Sequence, residues 1–270
     1  FWQMPALKYR AIIIAVTVLV YLAIGYYPFQ FEMPVRIAPN GAAYSETDGL
    51  QLLQPGIAHT ARAPAWLDTA IATSTLAVFL DIRPARARQY GPARILTLSK
   101  DPYLRNLTIA QNGADLIVRL RTPAADLNGL PPYRLPGALS APGWHRIKLS
   151  IAPQRLQVSI DGTVTLSAPL PRDALANWAR NYRLALGNEL TNDRPWLGEI
   201  RHARVVVGDR EVDYSKAGAL EIPRHLAVIQ AHHVLNPFSW ESLAINTDFV
   251  VNLLFFIPLG ILLVFFTAVV

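Results

Sequence analysis

Two long charge-free stretches, one near each end, constrain this chain more than anything between them. AIIIAVTVLVYLAIGYY (11–27) and FVVNLLFFIPLGILLVFFTAVV (249–270) contain no Asp, Glu, Lys or Arg. A hydrocarbon core of about 30 Å is crossed by roughly 20 apolar residues in a helix. The second stretch meets that length outright. The first is shorter, but Tyr26, Tyr27, Phe29 and Phe31 extend it with aromatic residues of the kind that settle at membrane interfaces. Its YYPFQF end lacks the small residues a signal peptidase needs, so it reads as a retained anchor. Lys8 and Arg10 precede the first stretch and no basic residue sits just before the second. Basic residues favour the cytoplasmic side, so the expected topology is two spans in a bacterial inner membrane, with a cytoplasmic N-terminus and a periplasmic domain. The segments are then an anchor (1–31), a periplasmic domain (32–215), an interfacial linker (216–247) and a C-terminal span (248–270).

The domain between the spans has no cysteine, so no disulfide framework supports it and its core must suffice. The 25 Lys and Arg against 19 Asp and Glu make only a mild basic excess. Arg83, Arg86, Arg88, Arg94, Arg119, Arg121, Arg201 and Arg204 are spread along the sequence, which suits solvated sheet faces and gives no block for nucleic acid.

From Thr75 to Gly208 short runs such as TLAVFLDIRP, RILTLS, LTIAQNG, DLIVRLR, HRIKLSIAP and RLQVSIDG alternate with period two. Strands this short, spaced by turn residues, predict an antiparallel sandwich or barrel. QNGAD and IDGTVTL carry hairpin signals. Only 172–181 (RDALANWARN) offers a helical turn or two, and the proline-rich 123–142 reads as a loop or irregular edge.

GWHRIKLSIAPQRLQVSIDG, followed downstream by LALGNELTNDRPWLGEIRHARVVVG, resembles the core hairpin and closing strands of laminin-G-like, concanavalin-type domains. The resemblance covers roughly residues 49–208 and implies a mainly β jelly-roll sandwich, here flanked by two transmembrane helices. Its relatives include sugar binders, calcium-dependent protein binders and glucanases. Glucanases of this kind use strand-borne alternating carboxylates, and no such alternation occurs here, so no enzyme activity is expected.

The segment Gly187–Asp193 offers Asn188, Glu189, Asn192 and Asp193 as oxygen ligands suited to Ca²⁺, and the same residues are equally those of a solvated hairpin loop. No other cofactor is expected. Trp66, Trp178 and Trp196 are candidates for sugar-stacking platforms or for the core, and Trp144 is expected in the core. His232 and His233 are adjacent and therefore poorly arranged to chelate one metal.

In the linker, Pro223 can start a helix with Leu226, Ile229 and His233 along one face, and NPFSW brings Phe238 and Trp240 to the headgroup level. Asn236-Pro237-Phe238, then Asn252, then Phe256-Ile257-Pro258-Leu259-Gly260 resemble the motif order of VanZ-like membrane proteins, some of which carry a laminin-G-like insertion between their first two spans. Those proteins usually continue through further spans. Asn252, Pro258 and Gly260 supply a hydrogen-bonding group, a freed carbonyl and room for close approach, the features of helix packing in lipid.

These features lead to a non-catalytic, membrane-anchored periplasmic interaction domain, read first as an accessory subunit of a larger assembly of integral membrane proteins. The alternative is a VanZ-like envelope protein whose lectin-like domain binds glycan or peptidoglycan.

Overall fold

A computed structural model describes residues 35–45 and 49–229, with further helical positions at 9, 12, 15–20, 22, 23, 257 and 260. The chain divides into two units, Phe1–Pro34 with Ala231–Val270, and Val35–Gln230. In the first unit, residues 15–20 are helical, and Ile12, Val16, Leu19, Val20 and Leu22 expose their apolar side chains. Among the described residues no helix is long and apolar enough to cross a membrane. Most of the two charge-free stretches lies outside the described residues, as do Tyr26, Tyr27, His232, His233, Phe238, Trp240, Asn252 and Pro258. Gly260 is helical, with open space where a Cβ would stand.

The second unit is an antiparallel sandwich. One sheet has eight strands, in the order β12 (Thr163–Pro169), β11 (Arg155–Ile160), β10 (His145–Ala152), β5 (Leu76–Pro84), β14 (Gly198–Val207), β3 (Gly49–Leu52) and β2 (Ala42–Ser45), with β15 (Arg210–Asp213) also paired to β14. The other has six, β4 (Ala58–His59), β13 (Arg183–Leu186), β6 (Gln89–Ser99), β7 (Arg105–Gly113), β8 (Asp115–Leu120) and β9 (Tyr133–Leu135). β3 pairs with β14 in one sheet while β4 pairs with β13 in the other, so the two ends of the domain wrap around it together as in a jelly roll.

The inner faces follow the period-two pattern. Val78, Leu80 and Ile82 of β5, Leu149 and Ile151 of β10, Leu96 and Leu98 of β6, and Leu107 and Ile109 of β7 join one continuous core. Burying a side chain of this size stabilises the fold by about 1.5–3 kcal/mol, which lets a domain without disulfides stand on its core.

The hairpin signals hold in different ways. Asp161 and Gly162 both take positive φ between Ile160 and Thr163, the conformation of a type I′ turn. At QNGAD the closing pair is Asn112 with Asp115, so Gly113 and Ala114 form the turn. The proline-rich segment contributes one short edge strand, β9.

Two features depart from expectation. A helix, α1 (Leu67–Thr73), buries Leu67, Ala70 and Ile71, while residues 172–181 form turns. The linker does not start as a helix: His225–Ile229 is a strand, β16, paired with β1 (Val35–Pro39) so that Val35 stands opposite Ile229. β-branched Val228 and Ile229 suit a strand, and the partner that decides the matter lies nearly the whole domain away in sequence. The folded unit therefore reaches past the expected end at residue 215. Asn40 anchors this ribbon: its Nδ2 donates to the carbonyls of Ile57 (2.9 Å) and Pro223 (2.8 Å), and its Oδ1 accepts from the amides of Ala42 (3.1 Å) and Ile57 (2.9 Å).

Candidate functional site

In a two-sheet sandwich the outward positions of a strand ordinarily face water. On β6 and β7 of the six-stranded sheet several do not. Thr97, Ser99, Arg105 and Thr108 are fully buried and Arg94 is 2% exposed, although all lie on the face turned away from the core. Ala185, Thr97, Thr108 and Arg119 form one row across β13, β6, β7 and β8. The two threonine hydroxyls meet at 3.1 Å. In the neighbouring row, Arg183 stands opposite Ser99 and Ser99 opposite Arg105.

Irregularities in the ladder aim these side chains. The pairing passes from Leu98↔Leu107 to Ser99↔Arg105, leaving Asn106 as an extra residue on β7. Such a bulge reverses the alternation, so Arg105 shares the outer face with Thr108, whose Oγ1 accepts from Arg105 Nη1 at 3.5 Å. Asn106 is used elsewhere, clamping the backbone of Ala179 through Nδ2 (2.8 Å) and Oδ1 (2.9 Å).

The segment between β13 and β14 lies over this face. Gly187 begins it at φ +83°, and a Cβ there would stand 2.4 Å from Leu52 Cδ1, so glycine is required. Asn188 Oδ1 then accepts from the amides of Glu189 and Arg194, both at 2.9 Å. This turn drives Glu189 inward. Its Oε2 accepts from Arg94 Nε at 3.2 Å, and its Oε1 accepts from Ser99 Oγ and from the Leu190 amide. On the other side, Arg119 Nη1 donates to Asn128 Oδ1 at 2.9 Å and the Arg105 amide donates to the Leu127 carbonyl at 3.1 Å, which brings the loop after β8 over the start of β7.

The result is a crowded cationic cluster with one buried carboxylate. Burial lowers the pKa of Arg94 despite the Glu189 partner, with Arg119 and Arg194 adding repulsion. Arg105 is lowered to about 9, first by burial and then by Arg94 and Arg119, against the opposing pull of Glu189. Burial also lowers Arg119. Arg105 Nε and Nη2 have no hydrogen-bond partner, nor do the Nε atoms of Arg119 and Arg121.

The outer face of the eight-stranded sheet makes a contrast. There Arg83 pairs with Glu199 (2.5 Å), Arg201 with Asp81 (2.6 Å) and Arg204 with Glu211 (3.0 Å). Trp144 is half-buried on that face between Arg83 and Arg201, whose guanidinium carbons stand 5.0 and 4.3 Å from its ring centre. This corrects its expected core position. Its neighbour His145 takes the inward place.

The remaining candidates are distributed as follows. Trp66, Trp178 and Trp196 are core residues, with their indole N–H groups satisfied by Tyr214 Oη, the Arg121 carbonyl and Gln111 Oε1, so none is a stacking platform. In the suggested calcium loop, Asn188 and Glu189 are spent on internal donors, Asn192 Nδ2 donates to the Ala227 carbonyl, and Asp193 faces Thr191 and Arg194. Among the described residues no group of three or more His, Asp or Glu could hold a metal. Arg94 and Arg119, expected on solvated faces, are instead drawn into the cluster, and Arg105 escaped notice altogether. The available signal was chemical: the outward positions Thr97, Ser99 and Thr108 carry short hydroxyl side chains where an exposed strand would more commonly carry Lys or Glu.

No family model matches the chain, and no curated protein matches its sequence. Solved structures do resemble it. Domain 4 of AbnA, an extracellular GH43 arabinanase from Geobacillus stearothermophilus, solved with arabinotriose, is 18% identical, covering 64% of this chain and 81% of that one at a TM-score of 0.41. The CBM40 of the Ruminococcus gnavus IT-sialidase is 12% identical, covering 58% and 89% at 0.42. Domains LG4-5 of the mouse laminin alpha1 chain are 13% identical, covering 72% and 48% at 0.40.

Proposed function

We propose that this chain is a non-catalytic binding module held at a bacterial envelope membrane, which captures glycan on the outer face of its six-stranded sheet. The observation that carries the binding reading is the buried polar face itself. Thr97, Ser99, Thr108 and Arg105 place hydroxyls and a guanidinium at positions where neither the core nor simple solvation calls for them. The hydroxyls are paired within the face, Thr97 with Thr108 and Ser99 with Glu189, and of these four side chains Arg105 alone keeps unpartnered N–H groups. Hydroxyl-rich ligands suit such a surface, because every hydroxyl both donates and accepts.

Attachment to a membrane is supported by two features. Ile12, Val16, Leu19, Val20 and Leu22 expose apolar side chains at helical positions, as they would against lipid. The β1–β16 pairing sets Val35 opposite Ile229, so the first and last described residues of the domain stand together, as suits a domain anchored at both ends. Asn252, Pro258 and Gly260, with the Asn-Pro-Phe motif before them, align this arrangement with VanZ-like proteins. Packing of the spans against other integral membrane subunits is the competing reading.

The test is affinity electrophoresis of the full chain in detergent through gels containing envelope polysaccharides or soluble peptidoglycan fragments. Retardation is expected, reduced by Thr97→Val with Thr108→Val and unchanged by Lys148→Ala on the opposite sheet. Free migration in every gel, with other membrane proteins co-purifying in fixed ratio, would transfer the function to the accessory-subunit reading.

A further inference from the structure

Two buried glutamines shape the crossing from β5 to β6. Gln111 Nε2 donates to the carbonyls of Arg86 (3.2 Å), Ala87 (3.1 Å) and Gly113 (3.0 Å). Its Oε1 accepts from Gln89 Nε2 (3.1 Å) and Trp196 Nε1 (2.9 Å). Gln89 in turn clasps the backbone of Leu197, through Nε2 to its carbonyl and Oε1 to its amide, both at 2.7 Å. Arg194 Nη1 closes the far end on the Gly91 carbonyl at 2.7 Å. Buried amides satisfied this fully hold one arrangement, so residues 85–91 form a fixed frame and not a slack loop.

What the frame presents is open to solvent. With Gln89 and the carbonyls before it turned inward, Arg86, Arg88 and Tyr90 stand exposed at every second position. Tyr90 is 70% exposed. Its Cε1 lies 3.7 Å from where a Cβ on Gly113 would stand, so the ring rests beside a residue with no side chain to cover it. Arg83, just upstream, is paired with Glu199, whereas no ion pair among the described residues includes Arg86 or Arg88. Tyrosine and arginine are the side chains that most often carry binding energy, and a preformed frame lowers the ordering cost of using them.

We infer that this loop docks an acidic polysaccharide, with the Tyr90 ring against the C–H face of one sugar and Arg86 and Arg88 on the anionic groups beside it. This rests on the reading of the chain as a glycan-binding module, and it names both the class of glycan and a solvent-open place for it. A tyrosine ring offers an apolar face with a hydrogen-bonding end, which matches the mixed surface of a sugar. A guanidinium fork meets carboxylate and phosphate oxygens alike, so both kinds of acidic chain share the chemistry.

The experiment is affinity electrophoresis of the full chain in an uncharged detergent, through gels holding polygalacturonate, its fully methyl-esterified form, or wall teichoic acid. At least one anionic polymer should bind about tenfold more tightly than the neutral ester, and which one does so tells carboxylate from phosphate. Arg86→Gln with Arg88→Gln should erase that preference. Tyr90→Ala should weaken binding and Tyr90→Phe should keep it. The chain carries a net charge of +6, so a matched control removes the same charge elsewhere: Arg146→Gln with Lys148→Gln, at exposed positions of β10, should leave the preference intact. Unliganded Tm values show that each variant folds. Equal effects of the two double variants, equal binding of acidic and neutral polymer, or a preference that survives the loss of Arg86 and Arg88 would overturn the loop assignment, while retardation itself keeps the glycan reading. Free migration through these gels and those of neutral envelope polysaccharides would remove both.

Discussion

Glu189 and Arg94 form an ion pair with Oε2 and Nε 3.2 Å apart, sealed from solvent on both sides. The pair joins the β13–β14 segment to β6, and Ser99 completes it from the same strand. Replacing Glu189 by Gln leaves a buried guanidinium without a counter-charge, so a loss of about 3 kcal/mol is expected. Urea denaturation followed by tryptophan fluorescence measures it. The double variant Glu189→Gln with Arg94→Met should lose less than the sum of the single changes, because the second change removes the stranded charge.

Arg105 is expected to behave in the opposite way. No carboxylate is hydrogen-bonded to it, and burial outweighs the pull of Glu189, so Arg105→Met should raise the stability of the chain by about 1–4 kcal/mol. An increase in Tm is the signature of a residue kept at the expense of stability. A fall in Tm would show that Arg105 is a structural element instead.

The pH dependence of stability follows from two groups shifted in opposite directions. Arg105 is lowered to about 9 in the fold, so above that pH the folded state holds fewer protons than the unfolded one and stability rises. Tyr44 is raised to about 12 by burial, so its contribution is complete below its ordinary value near 10 and is lost as pH climbs from there toward 12. Tyr133 and Tyr214 shift the same way. Unfolding free energy should therefore rise from about pH 9 to 10 and then turn down. Arg105→Met should reduce the rise, leaving what Arg94 and Arg119 contribute, and keep the fall.

Asn40 ties β2, the approach to β4 and the approach to β16 through four hydrogen bonds. Asn40→Ala leaves their backbone partners unpaired and should reduce stability by about 2–4 kcal/mol. Hydrogen exchange should show the loss first in the β1–β16 ribbon, whose other fixed points are Leu226 packed on Ile57 and Ala185, and the Asn192 bond to Ala227.

Calcium should be neutral. Since the Asn188 and Glu189 oxygens already accept internal donors, Tm measured with a chelator and with added Ca²⁺ should agree. A rise with Ca²⁺ would mean that the β13–β14 segment rearranges to release Glu189.

The sequence by itself determined the local structure of the domain. Period-two runs gave β5, β7, β8, β10 and β11, and Asp161-Gly162 gave a turn, because side-chain alternation and positive-φ glycine chemistry act over a few residues. The absence of alternating carboxylates was equally legible. Tertiary structure alone decided the rest. β16 is a strand because β1 is there to pair with it, and α1 is a helix because the core accepts Leu67, Ala70 and Ile71. The arginine cluster is the sharpest case. An outward arginine on a strand reads as solvated until something covers it, and what lies over Arg94, Arg105 and Arg119 comes from segments near residues 127 and 189. The bulge at Asn106 that aims Arg105 is a property of pairing between strands. Burial, counter-charge and empty donor edges are all made by contacts distant in sequence, and those no local pattern records.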